Sequence, residues 1–402
     1  MDTPSLVNLT PILRVMLLGL SVAVGPLAWW WLQHKGVNRL KRLQALTLFT
    51  LFLTFDLVIF GAFTRLTDSG LGCPDWPGCY GSASPLGAHA SIADAQHALP
   101  TGPVTHSKAW IEMLHRYLAT SVGVLILTLT VNSWWARHRA QAQARQKVRV
   151  LSEFQPGAHL QISPWWPTAS LVWVSVVGAF GAFTVTFKLF PAIVTLHLLG
   201  ALVLLLLLCL QAVRYAQASG QVKAVSVNAS LRTLLMATFA LLWLQIALGG
   251  WVSTNYAVLA CSSFPDCQNS WWPSMNFQDG FTLWRELGLT AGGDNIPFSA
   301  LTAIHYTHRL AAYVLFVALG LSAWQLHRVT ALQRQARWLA GLALWQLLSG
   351  LSNVVLGWPL LGALAHTGGA AALVMLMTWT LATTRVTQKL KFKMQSRPHQ
   401  AT

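Results

Sequence analysis

PAIVTLHLLGALVLLLLLCLQAV, residues 191–213, decides the fold class. It contains no Asp, Glu, Lys or Arg, and its length meets the roughly 20 residues that a helix needs to cross a bilayer. Working outward, comparable apolar runs lie at 11–33, 43–66, 110–134, 167–187, 232–254, 301–326, 336–357 and 361–384, giving nine spans in all. Arg14 and Pro26 interrupt the first, and Pro191 separates 167–187 from 191–213. Of the 402 residues, 54% are hydrophobic and 9% charged, where a soluble chain carries about a quarter charged. The composition therefore excludes a run of two or three soluble domains and indicates a polytopic membrane protein.

The formal charge of +16, 27 basic residues against 11 acidic, invites a nucleic-acid reading. Such a surface needs its charges gathered on a soluble module, and none is present. The basic residues instead fill alternate connections: Lys35, Arg39, Lys41 and Arg42; Arg137, Arg139, Arg145, Lys147 and Arg149; Arg214, Lys223 and Arg232; Arg328, Arg334 and Arg337; and Arg385, Lys389, Lys391, Lys393 and Arg397. The other connections hold Asp68, Asp75, Asp94, Asp266, Asp279, Glu286 and Asp294. This positive-inside pattern places the C-terminus in the cytoplasm and, with nine spans, the N-terminus outside. The first run is too long for a signal core and Met1 to Thr10 lacks a basic region, so a bacterial inner membrane is the expected location. Trp29 to Trp31, Trp134, Trp135, Trp165 and Trp166 sit at span ends, as an interfacial belt does.

The chain also repeats itself. Phe60-Gly61-Ala62-Phe63 parallels Leu248-Gly249-Gly250-Trp251, and the stretch Cys73 to Cys79 parallels Cys261 to Cys267. His115-Arg116 parallels His308-Arg309, and His197 parallels His366. The expected architecture is an all-α membrane protein of two pseudo-symmetric four-helix bundles plus one extra N-terminal transmembrane helix, a parallel repeat. Its divisions are 1–42 for the extra helix and basic link, 43–213 for the first bundle, 214–231 for a linker, 232–384 for the second bundle and 385–402 for a basic tail.

Four of thirteen histidines lie inside spans at matched positions. His115 and His197 fall about five and six residues into helices that run inward from the outer face, and His308 and His366 about seven and five. At 1.5 Å per residue His115 and His197 lie about 8–9 Å below the outer entrance, and His308 and His366 repeat the arrangement. Two imidazoles at one depth on separate helices suit the axial positions of a haem iron. A single buried histidine is as well explained by a hydrogen bond to a neighbour, but that explanation predicts no agreement between helices. Zinc would want thiol or carboxylate partners at the same depth. His138 and His327 read as surface groups at inner helix ends, and His89, His97 and His106 as loop residues.

Glu112 shares a helix face with His115 and Arg116. Pairing with Arg116 accounts for it structurally; a proton acceptor or charge stabiliser beside a reacting group accounts for it functionally. His305 occupies the matching place before His308, an asymmetry that fits chemistry in one half and a resident cofactor in the other. Arg116 and Arg309 are candidates for haem propionates or for interfacial anchoring. Cys73 with Cys79 and Cys261 with Cys267 lie in outer loops, where a bridge can be structural or redox-active. Cys209 reads as packing.

Thr64-Arg-Leu-Thr-Asp-Ser-Gly-Leu-Gly-Cys-Pro-Asp-Trp-Pro77 resembles the first-loop signature of haem A synthases, and Glu112-Met-Leu-His-Arg-Tyr117 resembles their second-helix motif. With His197, His308-Arg309 and His366 the resemblance covers about 43 to 384. It implies an eight-helix core that oxidises the C8 methyl of haem O to the formyl of haem A. His115 and His197 would flank the substrate iron, and Glu112 would assist at C8. His308 and His366 would hold a haem b that relays electrons. Cys73–Cys79 and Cys261–Cys267 would be disulfides. The implied partners are haem O synthase, terminal oxidase assembly factors, membrane lipids and an electron acceptor that the motifs do not specify. A homo-oligomer is compatible with the pattern. The alternative is a dihaem, cytochrome b-like electron-transfer protein that modifies neither haem, which leaves Glu112 and the cysteine pairs without a purpose. A transporter is a third class, but transporters break their helices at mid-membrane, and here the polar residues cluster near the outer face.

Overall fold

The computed structural model describes residues 10–150 and 163–386. The side chains of Arg145, Lys147 and Arg149, and the tail positions Lys389, Lys391, Lys393 and Arg397, lie outside what is described. The helices are α1 (Thr10–Gln33), α2 (Arg39–Leu66), α3 (His89–Ala98), α4 (His106–Val150), α5 (Trp165–Thr186), α6 (Pro191–Ala218), α7 (Ala229–Thr254), α8 (Phe277–Gly280), α9 (Phe298–His327), α10 (Gln333–Val355) and α11 (Leu360–Thr383). Among the described residues nine of these are long and apolar enough to cross a membrane, all but α3 and α8. The chain is a multi-pass membrane protein.

Local chemistry sets several helix ends. Asn38 and Asn228 cap α2 and α7 by accepting the backbone N–H of Leu40 (3.1 Å) and Leu231 (2.8 Å). Pro191 occupies the first turn of α6, where its missing N–H costs nothing. Pro26 does not break α1, which runs unbroken through it.

The helices that carry His115 and His308 start earlier than hydropathy indicates. α4 begins at His106 and α9 at Phe298, so His115 is nine residues and His308 ten residues past the first helical residue. His197 and His366 are each six residues past theirs. Equal depth counted from helix starts therefore does not hold. The first turn of α4 is polar and reads as loop, and Lys108 ties it back by donating to the Gly102 carbonyl at 3.2 Å. His106 accordingly belongs to a helix, as do His89 and His97 at the two ends of α3.

α2 packs on α4 and α6, and α5 packs on the same two; α7 packs on α9 and α11, and α10 packs on the same two. These two rings meet where α6 touches α7 and α11, and where α2 touches α11. Leu205, Leu208, Leu235, Leu319, Val374 and Met377 are fully buried in the shared apolar core. α1 lies against α4 at a close approach. A methyl group added at Gly19 would sit 2.4 Å from Thr120, and Ser121 donates to the Gly19 carbonyl at 2.8 Å. Small residues allow such contact between spans.

At the face holding the disulfide loops, the turns after α2 and α7 meet. Asp68 and Tyr256 both adopt left-handed backbone (φ 51° and 54°), and the Tyr256 hydroxyl donates to Asp68. Arg65 donates to the Ser253 carbonyl at 2.6 Å and covers the Tyr256 ring 4.0 Å from its centroid. Both contacts join residues 188 apart, the offset that also relates the two cysteine loops. At the opposite face a short parallel ladder pairs β1 (Val225–Val227) with β2 (Thr384–Val386), tying the segment before α7 to the end of α11.

Candidate functional site

Each disulfide loop is fastened to the helix that carries the first histidine of its ring. Disulfides join Cys73 to Cys79 and Cys261 to Cys267. Above α4, Arg116 Nη1 donates to the carbonyls of Asp75 (3.0 Å), Pro77 (3.2 Å) and Gly78 (2.7 Å). Above α9, Arg309 donates to the carbonyls of Ser263, Asp266 and Cys261. Tyr117 and Tyr306 donate to the carbonyls of Ala83 and Trp271, positions that match in the two loops. The arginines are thus loop clamps, and only the N–H groups left over from these bonds are available to another anion.

Glu112 is 4% exposed and both of its oxygens are engaged. Oε2 accepts the Cys73 N–H at 2.8 Å, and Oε1 pairs with Arg116. His305, 6% exposed, takes the corresponding place, its Nδ1 accepting the Cys261 N–H at 3.3 Å. Neither bond leaves a trace in sequence, because the donor is backbone.

The structure brings His115 within electrostatic reach of His197, and His308 within reach of His366. Every one of these imidazoles presses its Cε1 edge against a glycine of the preceding span. A methyl group added at Gly61, Gly181, Gly249 or Gly350 would lie 3.1, 3.2, 2.9 or 3.1 Å from Cε1 of His115, His197, His308 or His366. A side chain at any of the four would push the ring away, so these glycines set where the imidazoles stand. Gly61 and Gly249 are visible in sequence as landmarks of the repeat, but their purpose is not; Gly181 and Gly350 are not singled out there.

The second ring nitrogen shows which atom is left for a metal. His197 Nδ1 lies 3.0 Å from the Val177 carbonyl, which can only accept, so Nδ1 carries the proton and Nε2 is free. The Ser349 hydroxyl donates to the Trp345 carbonyl at 2.7 Å, so at 3.1 Å it accepts from His366 Nδ1, with the same result. The Gln245 amide nitrogen lies 3.0 Å from His308 Nδ1 and 3.1 Å from the His308 carbonyl, and its two N–H groups can donate to both. His115 differs: its Nδ1 is buried and has no partner, and its ring stacks on Phe60. In His197 and His366 an Nε2 left free by a bond at Nδ1 fits axial haem ligation.

The two rings differ in how the histidine backbone is held. Gln245 donates to the His308 carbonyl at 3.1 Å and Gln346 to the His366 carbonyl at 2.9 Å, each glutamine four residues before its glycine. In the first ring those places are Leu57 and Val177, which have no side-chain donor. Other histidines stay apart from the site. His89 and His106 lie against each other with rings tilted by 32° and centroids 4.4 Å apart, His138 lies beside Trp134, and His327 ends α9. Cys209 is buried, with Sγ 3.5 Å from the Met375 carbonyl.

Residues 44–378 match the family described as Cytochrome oxidase assembly protein, a match that begins after α1. The chain is 34% identical over 326 residues to the Heme A synthase of Shewanella oneidensis, covering 81% of this chain and 92% of that one. It is 27% identical over 378 residues to the Heme A synthase of Cereibacter sphaeroides, covering 86% and 88%. With the Heme A synthase of Halalkalibacterium halodurans the identity is 24% over 313 residues, covering 76% and 85%.

Proposed function

The chain belongs to the cytochrome oxidase assembly family, and from that premise we propose how its two helix rings divide the work of haem A synthesis. The protein is an enzyme of haem A synthesis. The reaction we assign is oxidation of the C8 methyl of haem O to a formyl group. In net form a methyl and one water give a formyl, four protons and four electrons, so the enzyme must accept protons and pass electrons on.

The observation that carries the assignment is the unequal furnishing of two matched histidine pairs. We assign residues 43–213 to the substrate and 232–384 to a resident haem b, as two pseudo-symmetric bundles. His308 and His366 are pinned at the ring by Gln245 and Ser349 and at the backbone by Gln245 and Gln346, as suits a group that never leaves. His115 has no Nδ1 partner, and neither His115 nor His197 has a glutamine on its carbonyl, as suits a haem that enters, reacts and departs. A haem b between His308 and His366 would supply a one-electron acceptor. Glu112 places a negative charge at the substrate side and holds the Cys73 loop over it, and the lone pairs that Arg116 and the Cys73 N–H leave over can accept a proton. Where Arg116 and Arg309 meet propionates, they do so with the N–H groups the loops leave over. The basic face is cytoplasmic on this reading, and the disulfide loops are outside, where such bridges persist. Haem O synthase and oxidase assembly factors are the partners that the substrate and product require.

The test is to purify the protein from a host supplied with haem O synthase and identify its haems by mass and pyridine haemochrome spectra. Haem b together with haem O or haem A is the expected result. Two equivalents of haem b and no other haem would overturn the assignment in favour of an electron carrier.

A further inference from the structure

At the basic face, where α6 meets α7 and α11, a cavity of about 350 Å³ opens between the two rings. Arg214, Arg232 and Arg385 stand around its mouth, and the lining contains no carboxylate. Arg232 is fixed, since its Nη1 donates to the carbonyls of Leu381 and Thr384 at 2.7 Å. Arg214 and Arg385 are exposed.

The cavity is a groove, open along one side, that runs inward from the arginines. Its wall runs along α6 from Arg214 to Leu206 and along α7 from Arg232 to Phe239, which is about 10–12 Å of helix at 1.5 Å per residue. Leu206, Leu210, Phe239 and Leu381 make this shaft apolar.

We propose that this cavity binds one anionic phospholipid, its phosphate among the three arginines and an acyl chain along the apolar shaft. Basic pockets between spans recognise such head groups. Snorkelling alone would place arginines at the interface, but it would leave no apolar shaft beneath them. A free phosphate would use the mouth and leave the shaft empty. Because the cavity is walled by both rings, the bound lipid fastens one to the other.

The test uses the full-length, haem-loaded protein, delipidated in mild detergent. Phosphatidylglycerol, phosphatidylcholine or millimolar inorganic phosphate is added back, with thermal unfolding and native mass spectrometry as readouts. Phosphatidylglycerol should raise the unfolding midpoint by several degrees and remain bound at one per chain, while the other two additions change little. The double variant Arg214→Ala/Arg385→Ala should lose the retained lipid at least tenfold. Leu210→Trp, which fills the shaft and keeps all three arginines, should lose it too, and an unchanged haem spectrum certifies the fold of both. Equal retention by wild type and both variants would overturn the proposal. An equal response to phosphatidylcholine would reduce the effect to bulk lipid, and an equal response to phosphate would reduce the site to an anion pocket; either also overturns it.

Discussion

Glu112 and His305 occupy the same place in the two halves and accept the same bond, the backbone N–H of the first cysteine of a disulfide loop, at 2.8 Å from Cys73 and 3.3 Å from Cys261. The halves differ in the charge of that acceptor and not in its position. A carboxylate can hold Arg116 at the same time; the imidazole cannot, and Arg309 bonds only carbonyls.

Loop fastening can therefore be read separately on each side. Glu112→Ala should let dithiothreitol reduce Cys73–Cys79 at least about tenfold faster, the factor implied by losing a bond of about 1.5 kcal/mol to a charged group. Glu112→Gln keeps an acceptor and should restore most of the protection. His305→Ala should speed reduction of Cys261–Cys267 alone. Alkylation and peptide mass analysis measure each rate; equal rates in all variants would show that the loops are held by other contacts.

The same Glu112→Ala protein should keep its haem b while haem A formation stops, and Glu112→Gln should not restore formation. Normal haem A accumulation in either would remove Glu112 from the reaction.

The glycines beside the imidazoles offer a sharper experiment. Gly249→Ala places a methyl 2.9 Å from Cε1 of His308, and overpacking of this kind costs about 1–3 kcal/mol. Haem b content should fall, with a shifted absorption band in what remains. Gly61→Ala should spare haem b and weaken haem O retention. Gly123→Ala and Gly178→Ala, which meet nothing within 4 Å, should change neither.

Among the ligands proposed for haem b, His308→Ala and His366→Ala should abolish its spectrum. Ser349→Ala removes only the acceptor of His366 Nδ1–H and should weaken haem b binding about 10–100-fold. Titration of the apoprotein with haem measures both, and unchanged affinity in Ser349→Ala would mean that the bond does not orient the ring.

A pH dependence follows from Tyr256, which lies outside the spans. Partial burial raises its pKa above the ordinary 10.0, with Arg65 pulling the other way. The neutral phenol is thus the form the fold favours, and its stabilisation is fully present below pH 10 and lost as pH rises through the raised value. Tyr256→Phe should lower stability by about 0.5–1 kcal/mol below pH 10, as loss of one exposed hydrogen bond does. The difference from wild type should shrink at higher pH; a constant difference would show that the hydroxyl is not the group responsible.

Hydropathy alone locates the spans, because about 20 apolar residues without charge have few other uses. It misses the starts of α4 and α9, since the turns at His106 and Phe298 extend beyond the apolar stretch and do not read as membrane. The four histidines stand out because ionisable groups inside spans are rare, and the repeat pairs them. What holds them is hidden: the glycine notches act by absence of a side chain, and Glu112 acts on a backbone N–H. Gln245 and Gln346, each four residues before a glycine, are the one part of that support with a spacing that sequence could have revealed.

The contact of Tyr256 with Asp68 has a consequence for how such a chain can have arisen. If the first half met its own copy across the same axis, two carboxylates would face each other; two copies of the second half would oppose two phenols. The bond forms only between unlike copies. A chain that arose by duplication would need unlike residues at this place before the junction could form, and neither unit expressed without the other can rebuild it.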